Sequence, residues 1–241
     1  MKNTLHLEPL GKKINIYVSA SYCFGEDAVL LAWFSAPKNK WKLADLCSGC
    51  GIIPLLWCRD HHDCQVDAIE LQAEAARIAR LSASYNNFEG MNIYNQDLRK
   101  LPANFYRKYD LVSCNPPYFT HSSGHTSPSL SRRIARSDND CELEDIIQTA
   151  SKMLMDKGHF CFSLRSERLV ESFILLLKYH LTPKRIQFVQ HKENTPSKIV
   201  LVEARKNAHS GLLVEPTLLH EQNNKPTFVW QQIYSAFSAT H

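Results

Sequence analysis

The stretch that most constrains this chain is Trp41-Lys42-Leu43-Ala44-Asp45-Leu46, followed by Cys47-Ser48-Gly49-Cys50-Gly51 and then Ile52-Ile53-Pro54-Leu55-Leu56-Trp57. An apolar strand that stops on two closely spaced glycines and resumes as an apolar helix is the opening half of a βαβ unit. Glycine is the residue that a sharp strand-to-helix turn tolerates best, because it has no Cβ to clash at positive φ. Pro54 fits because it falls in the first turn of the helix, where its missing N–H costs no hydrogen bond. Helices joining parallel strands must cover the faces of the sheet, so a layered α/β domain is predicted.

The rest of the chain continues the alternation. Leu5 to Val18 reads as a hairpin turning at Gly11-Lys12, and Gly25-Glu26-Asp27 opens a helix that Pro37-Lys38-Asn39-Lys40 ends. Gln65 to Ile69 is a second strand ending on Glu70, and Gln72 to Asn86 a helix with Ala75, Ile78, Ala79 and Ser82 on one face. Met91 to Tyr94 is a third strand, running into Gln96-Asp97-Leu98, and Tyr109 to Cys114 a fourth. A long polar segment follows, from Phe119 to Asp140, with an ordering on substrate expected for it. Helix Glu142–Met155, strand Gly158–Leu164 and helix Ser166–Tyr179 come next. Lys184–Val189 and Ile199–Ala204 are predicted to pair as a hairpin, because the segment between them is too short for a crossover helix. Leu212–Pro216 and Pro226–Phe237 complete the chain as a strand and a helix. The expected division is an extension over 1–38, a core over 39–206 and an appendage over 207–241, all within one domain.

Composition narrows the class. The 241 residues are 44% hydrophobic and carry a formal charge of +4, which permits nucleic-acid binding without requiring it. No run of about 18 apolar residues occurs. A soluble, cytoplasmic chain is therefore expected, with no membrane partner and a monomer as the starting assumption. Among the eight cysteines, Cys47 and Cys50 form a C-x-x-C, but the other spacings fit no zinc pattern. Reduced thiols inside apolar segments, and no metal, are the expectation.

Two sets of residues carry the chemistry. Gly49 and Gly51 let the backbone approach a ligand, and Glu70, nineteen residues past Gly51, can take a ribose diol with both carboxylate oxygens. Asp97 is another carboxylate at the carboxyl end of a strand, and such ends form one crevice in a parallel sheet. The strand Tyr109–Cys114 stops on Asn115-Pro116-Pro117-Tyr118. Two prolines cannot continue a ladder, which leaves the carbonyls of Asn115 and Pro116 free. The Asn115 side-chain carbonyl and the Pro116 backbone carbonyl can each accept one N–H of a planar amine, and Tyr118 can stack on its flat body. Pro54 stands where a dinucleotide-binding turn would have its third glycine.

These residues resemble the S-adenosylmethionine-dependent methyltransferases of the seven-stranded Rossmann-like class. Within it, the chain is similar to the bacterial enzymes that methylate N6 of adenine 37 in valine tRNA. The resemblance runs from Phe24-Gly25-Glu26-Asp27-Ala28-Val29-Leu30-Leu31 through the glycine turn to Asn115-Pro116-Pro117-Tyr118-Phe119, Leu143-Glu144-Asp145-Ile146-Ile147 and Val202-Glu203-Ala204-Arg205-Lys206. It implies that Asp45, Gly49 and Gly51 hold the methionine part of the cofactor, Glu70 its ribose and Leu71 a face of its adenine. It further implies Asp97 for the adenine amine with Leu98 beside it, and Asn115, Pro116 and Tyr118 for the target amine. Asn115 thereby borders the cofactor as well. Cys47 stands where the family has a glycine, so a tighter or shifted turn is expected there, and Ala135-Arg136-Ser137-Asp138 departs from the family's A-R-H-E.

Four dispersed basic pairs, Arg99-Lys100, Arg107-Lys108, Lys184-Arg185 and Arg205-Lys206, fit a tRNA-binding surface, although surface pairs of this kind are more often simply solvated charge. Other readings share the same residues. A glutamine-amide methyltransferase acting on protein uses the same tetrapeptide but usually carries a helical domain ahead of the catalytic one. N6-adenine methylation of rRNA or DNA, or a non-catalytic RNA-binding module on the same fold, would also be compatible with much of the pattern.

Overall fold

The computed structural model describes residues 4–61, 63–116 and 141–238. Strands β1 (His6–Gly11) and β2 (Ile14–Val18) pair as the predicted antiparallel hairpin, and helix α1 (Glu26–Ser35) follows. Then come β3 (Lys42–Leu46), α2 (Ile52–Asp60), β4 (Gln65–Glu70), α3 (Ala73–Tyr85), β5 (Met91–Asn95) and β6 (Tyr109–Cys114). After the predicted polar segment, which lies outside the described residues, the chain continues as α4 (Leu143–Met153), β7 (Leu154–Arg165), α5 (Leu169–Lys178), β8 (Leu181–Gln190) and β9 (Ile199–Lys206). Two-residue strands β10 (Leu213–Val214), β11 (Leu218–Leu219), β12 (Glu221–Gln222) and β13 (Lys225–Pro226) precede α6 (Phe228–Ser238).

One sheet has the order β5-β4-β3-β6-β7-β9-β8, parallel except for β9, which runs against both of its neighbours. The chain therefore winds outward from β3 to β4 and β5, then returns to build β6 and β7 on the other side. This places a topological switch point between β3 and β6, where the carboxyl ends of two adjacent strands part from each other.

Alternation along the strands divides the core. Leu43, Val66, Leu111, Cys161 and Leu201 pack on one face with α1, α2 and the hairpin. Ala44, Val112, Phe160, Phe162 and Val202 pack on the other with α4 and α5. Neighbours in sequence thus serve opposite cores, as strands buried on both sides require. Truncating a central residue such as Leu111 to alanine should cost about 2–5 kcal/mol.

Two strands depart from expectation. β7 begins at Leu154, not Gly158, since Leu154 already pairs with Tyr109 before the register jumps to Leu111 and His159. The extra residues loop out around Lys157, at φ 62, and Gly158 is bare because a Cβ there would lie 3.1 Å from the Tyr109 carbonyl oxygen. The strand predicted at Leu212–Pro216 is instead two short parallel pieces, β10 and β11, on the outer flank of β8, giving this sheet nine strands among the described residues. Pro216 lies between them and has no N–H to donate.

Candidate active site

The carboxyl ends of β3, β4, β5 and β6 are neighbours in the sheet and carry Asp45, Glu70, Asp97 and Asn115 at or near their last residues, where parallel strands form a crevice. Leu46 pairs with Cys114, so the turn after β3 starts beside Asn115. Cys47, Gly49 and Gly51 all have positive φ, at 56°, 56° and 85°. Cys47 therefore takes up the left-handed conformation that a glycine would adopt at lower cost, and the backbone can follow a left-handed path there without a glycine.

The two glycines differ. A Cβ at Gly51 would meet Ala79 Cβ at 3.1 Å and Met91 Cε at 3.0 Å, so its bareness serves the packing of the turn on α3 and β5. At Gly49 the Cβ position faces open space. Gly49 is the one of the pair whose smallness can serve an incoming ligand.

Glu70 is buried and fixes this turn. Its Oε2 accepts from the Gly49 N–H at 2.8 Å and its Oε1 from the Gln72 N–H at 2.7 Å. Burial pushes its carboxyl up, and the backbone donors oppose that shift. Each oxygen keeps a further lone pair, so acceptance from a diol is compatible with both bonds. Leu71, next in sequence, is 48% exposed and presents an apolar surface. The Asn95 amide holds this corner, donating to the carbonyls of Glu70 at 3.0 Å and Leu71 at 2.8 Å.

Asp45 lies deeper, 1% exposed, and accepts from the Ser113 hydroxyl at 2.5 Å. Burial pushes its carboxyl up to about 7, against the opposing hydrogen bond from Ser113. Asp97 is bound by Arg99, whose Nε and Nη2 donate at 2.9 and 2.8 Å and whose backbone N–H donates at 3.0 Å. Those hydrogen bonds hold the Asp97 carboxyl below its usual range. The Leu98 side chain is buried in the core and its carbonyl accepts from the Thr149 hydroxyl at 3.3 Å.

Asn115 follows the last residue of β6, and its Oδ1 accepts a short hydrogen bond from the Ser163 hydroxyl on β7. Pro116 is buried behind it, while Tyr118 lies outside the described residues. Ser163, Ser113 and Asn95 were not singled out from the sequence. A signal existed for the first two, each a lone hydroxyl inside an apolar strand, but their partners are set by cross-strand register.

The basic pairs do not converge here. Only Arg99-Lys100 borders the crevice. Lys108 pairs with Asp67 at 3.1 Å, and Lys206 caps α4 through the carbonyls of Ser151 and Leu154 at 2.5 and 3.0 Å. Five of the eight free cysteines are buried, and Cys23 is exposed. Among the described residues no group of three or more His, Cys, Asp or Glu is placed to hold a metal ion, and no helix is long and apolar enough to cross a membrane.

This sheet order, with a reversed β9 inserted beside β8 and acidic side chains at the strand ends of the switch point, defines the class I Rossmann-like methyltransferase fold. An Agrobacterium tumefaciens structure described as a predicted O-methyltransferase shares it at a TM-score of 0.72 and 19% identity, over 87% of this chain and 96% of that one. A geranyl diphosphate methyltransferase solved with GPP and sinefungin aligns at 0.55 and 12% identity, over 75% and 78%. The chain belongs to the methyltransferase small domain family, whose model matches residues 25–179. Among curated proteins it is similar to the tRNA1(Val) (adenine(37)-N6)-methyltransferase of Tolumonas auensis, at 26% identity over 212 residues, covering 85% of this chain and 86% of that protein. The same-named protein of Yersinia enterocolitica is 32% identical over 143 residues, 58% of this chain and 56% of the other.

Proposed function

We propose that this protein transfers a methyl group from S-adenosylmethionine to the exocyclic N6 of an adenine in tRNA, and that the target is adenine 37 of valine tRNA. The observation that carries this reading is the placement of the Asn115 amide at the end of β6, beside the turn of β3 and oriented by Ser163. The relatives named above, which act on that adenine, support the choice of substrate.

The residues present suit the donor. In this reading Glu70 accepts from the ribose hydroxyls, Leu71 covers a face of the adenine, Asp97 meets its amine with Leu98 beside it, and the methionine end lies over Asp45, Gly49 and Gly51. The open Cβ position at Gly49 and the exposed apolar face of Leu71 are the two local features that favour it. When bound, the cofactor supplies a sulfonium-activated methyl group whose transfer releases a neutral thioether.

The chain's own part is positioning. The Asn115 Oδ1 and the Pro116 carbonyl accept the two N–H bonds of the target amine, and Tyr118 stacks on its ring. Holding both protons draws the nitrogen toward a tetrahedral shape and localises its lone pair for attack. The methylated nitrogen then loses one proton to solvent, so no dedicated general base is needed. Orientation and fixed dipoles supply the rate. Residues 39–206 form the catalytic core in this reading, 1–38 and 207–241 flank it, and a tRNA substrate places the reaction in the cytoplasm.

Incubation with labelled S-adenosylmethionine and unmodified total RNA, followed by nucleoside analysis, tests the proposal. N6-methyladenosine in valine tRNA that disappears with Asn115→Ala is the expected result. No N6-methyladenosine from the wild type, or an undiminished yield from Asn115→Ala, would refute it.

A further inference from the structure

A cluster of cationic side chains lies on the α1 face of the sheet, beyond the C-terminal end of α1. His159 on β7, Arg185 on β8 and Glu203 and Arg205 on β9 line a cavity of about 370 Å³, together with Lys38, Trp41 and Lys184. It is separate from the crevice. His159 pairs with Leu111, which precedes Asn115 by four residues, or about 13 Å along the strand.

Its charge is not balanced. Glu203 is the one carboxylate lining the cavity, and it is shared among Arg185 Nε at 2.9 Å, Arg205 Nε at 3.1 Å and His159 Nδ1 at 3.0 Å. Arg185 is further locked, its guanidinium 3.9 Å from the Phe34 ring centroid and its Nη2 donating to the Phe34 carbonyl at 2.7 Å. Two guanidiniums on one carboxylate already leave an excess of positive charge. Lys38 and Lys184 add to it, and neither forms an ion pair among the described residues. Lys38 Nζ lies 5.4 Å from the centre of the Trp41 ring, and Lys184 Nζ has only a 3.4 Å contact with the His209 carbonyl.

An aromatic ring, tilted against the His159 ring with centroids 4.9 Å apart, beside a pocket of uncompensated cations suits a flat base carrying a phosphate. We propose that this cavity binds the phosphate of a nucleotide unit, with Lys38, Lys184 and Arg205 as the charged contacts and the Trp41 ring as the surface for the base. The unit is either a free mononucleotide or a nucleotide within an RNA strand. The proposal is independent of which base the crevice modifies.

The test uses the whole protein and probes without adenine, which keeps the acceptor site out of the measurement. Fluorescence anisotropy of labelled decauridylate is followed over a salt series, and uridine 5′-monophosphate is titrated calorimetrically. For Lys38→Ala/Lys184→Ala, affinity for the decamer should fall at least about fivefold, and the slope of log affinity against log salt should flatten by roughly 1.4, about 0.7 per lost phosphate contact on a single strand. Lys38→Arg/Lys184→Arg should retain binding. Lys152→Ala/Lys225→Ala, which removes the same charge elsewhere on the surface, should leave the slope unchanged.

Loss of monophosphate binding in the first variant identifies a free nucleotide as a ligand, and loss confined to the decamer identifies RNA. An unchanged slope and affinity in Lys38→Ala/Lys184→Ala, or an equal effect from Lys152→Ala/Lys225→Ala, overturns the site.

Discussion

Ser163 donates its hydroxyl proton to the side-chain carbonyl of Asn115 across the boundary between β7 and β6. Ser163 is fully buried and Asn115 half-buried, so the donor side of this bond is closed to water. It leaves one lone pair of Oδ1 and the whole amide orientation defined before any substrate arrives. Ser163→Ala should therefore lower kcat by roughly five- to tenfold, the equivalent of about 1 kcal/mol of lost positioning. Single-turnover rates and the cofactor dissociation constant should be measured together. An unchanged single-turnover rate would show that the serine does not orient the acceptor amide.

Asn115→Ala removes the acceptor itself. In the proposed mechanism the turnover rate should fall by about 10²-fold or more, the scale seen when one preorganised polar contact to a reacting group is deleted. The substitution also leaves the buried Ser163 hydroxyl without its partner, at about 1–3 kcal/mol of stability. The far-UV circular dichroism spectrum and a cooperative urea transition should be retained, separating the lost chemistry from a lost fold.

Cys47 is held at φ 56 without the freedom of a glycine. The left-handed conformation costs an ordinary residue about 1–2 kcal/mol, and glycine gives back about 0.5–1 kcal/mol through its unfolded-state entropy. Cys47→Gly should thus stabilise the protein by about 0.5–1 kcal/mol, visible as a higher urea midpoint at unchanged m-value. A lower midpoint would mean that the thiol's packing near Cys114 outweighs the backbone strain.

Asp45 has its carboxyl raised from 3.8 to about 7 in the fold, mainly by burial. The native state then binds this proton more tightly than the unfolded chain does, so stability falls as pH rises from about 4 to about 7. Asp45→Asn should remove that slope and be more stable than the wild type at pH 8. Glu203 behaves oppositely, its carboxyl lowered to about 2 against burial by His159 and the two arginines. Its contribution is present above about 4.5 and is lost as pH falls toward 2, which should persist in Asp45→Asn. Urea midpoints between pH 3 and 8 check both arms.

The sheet was legible because each strand announced itself as a short apolar run with a polar or glycine stop, and Glu70, Asp97 and Asn115 all fell at such stops. The crevice they share follows from parallel pairing. What the sequence could not show was how each group is held. That Glu70 takes the Gly49 N–H, that Ser113 faces Asp45 and that Ser163 faces Asn115 depends on register between strands far apart in the chain. Arg99 occupying Asp97 is a local contact, two residues away, but a basic pair looks the same in sequence whether it faces RNA or a neighbouring acid. The same blindness hides that Lys108 and Lys206 are spent on an acid and a helix end.

The broken strand at the flank of β8 has a consequence for how the molecule behaves in a crowded solution. An unpaired strand edge is a template on which another chain can add, and β8 would offer a long one. Here β10 and β11 take up its hydrogen-bonding groups in two short rungs, with Glu215 donating to Ile186 and Gln187 reaching the Pro216 carbonyl between them. A strand arriving from outside would find two residues, a three-residue break centred on Pro216 and two residues more. The interruption that spoiled the sequence's simplest reading of 212–216 is also what keeps this flank from growing into a sheet shared by many copies.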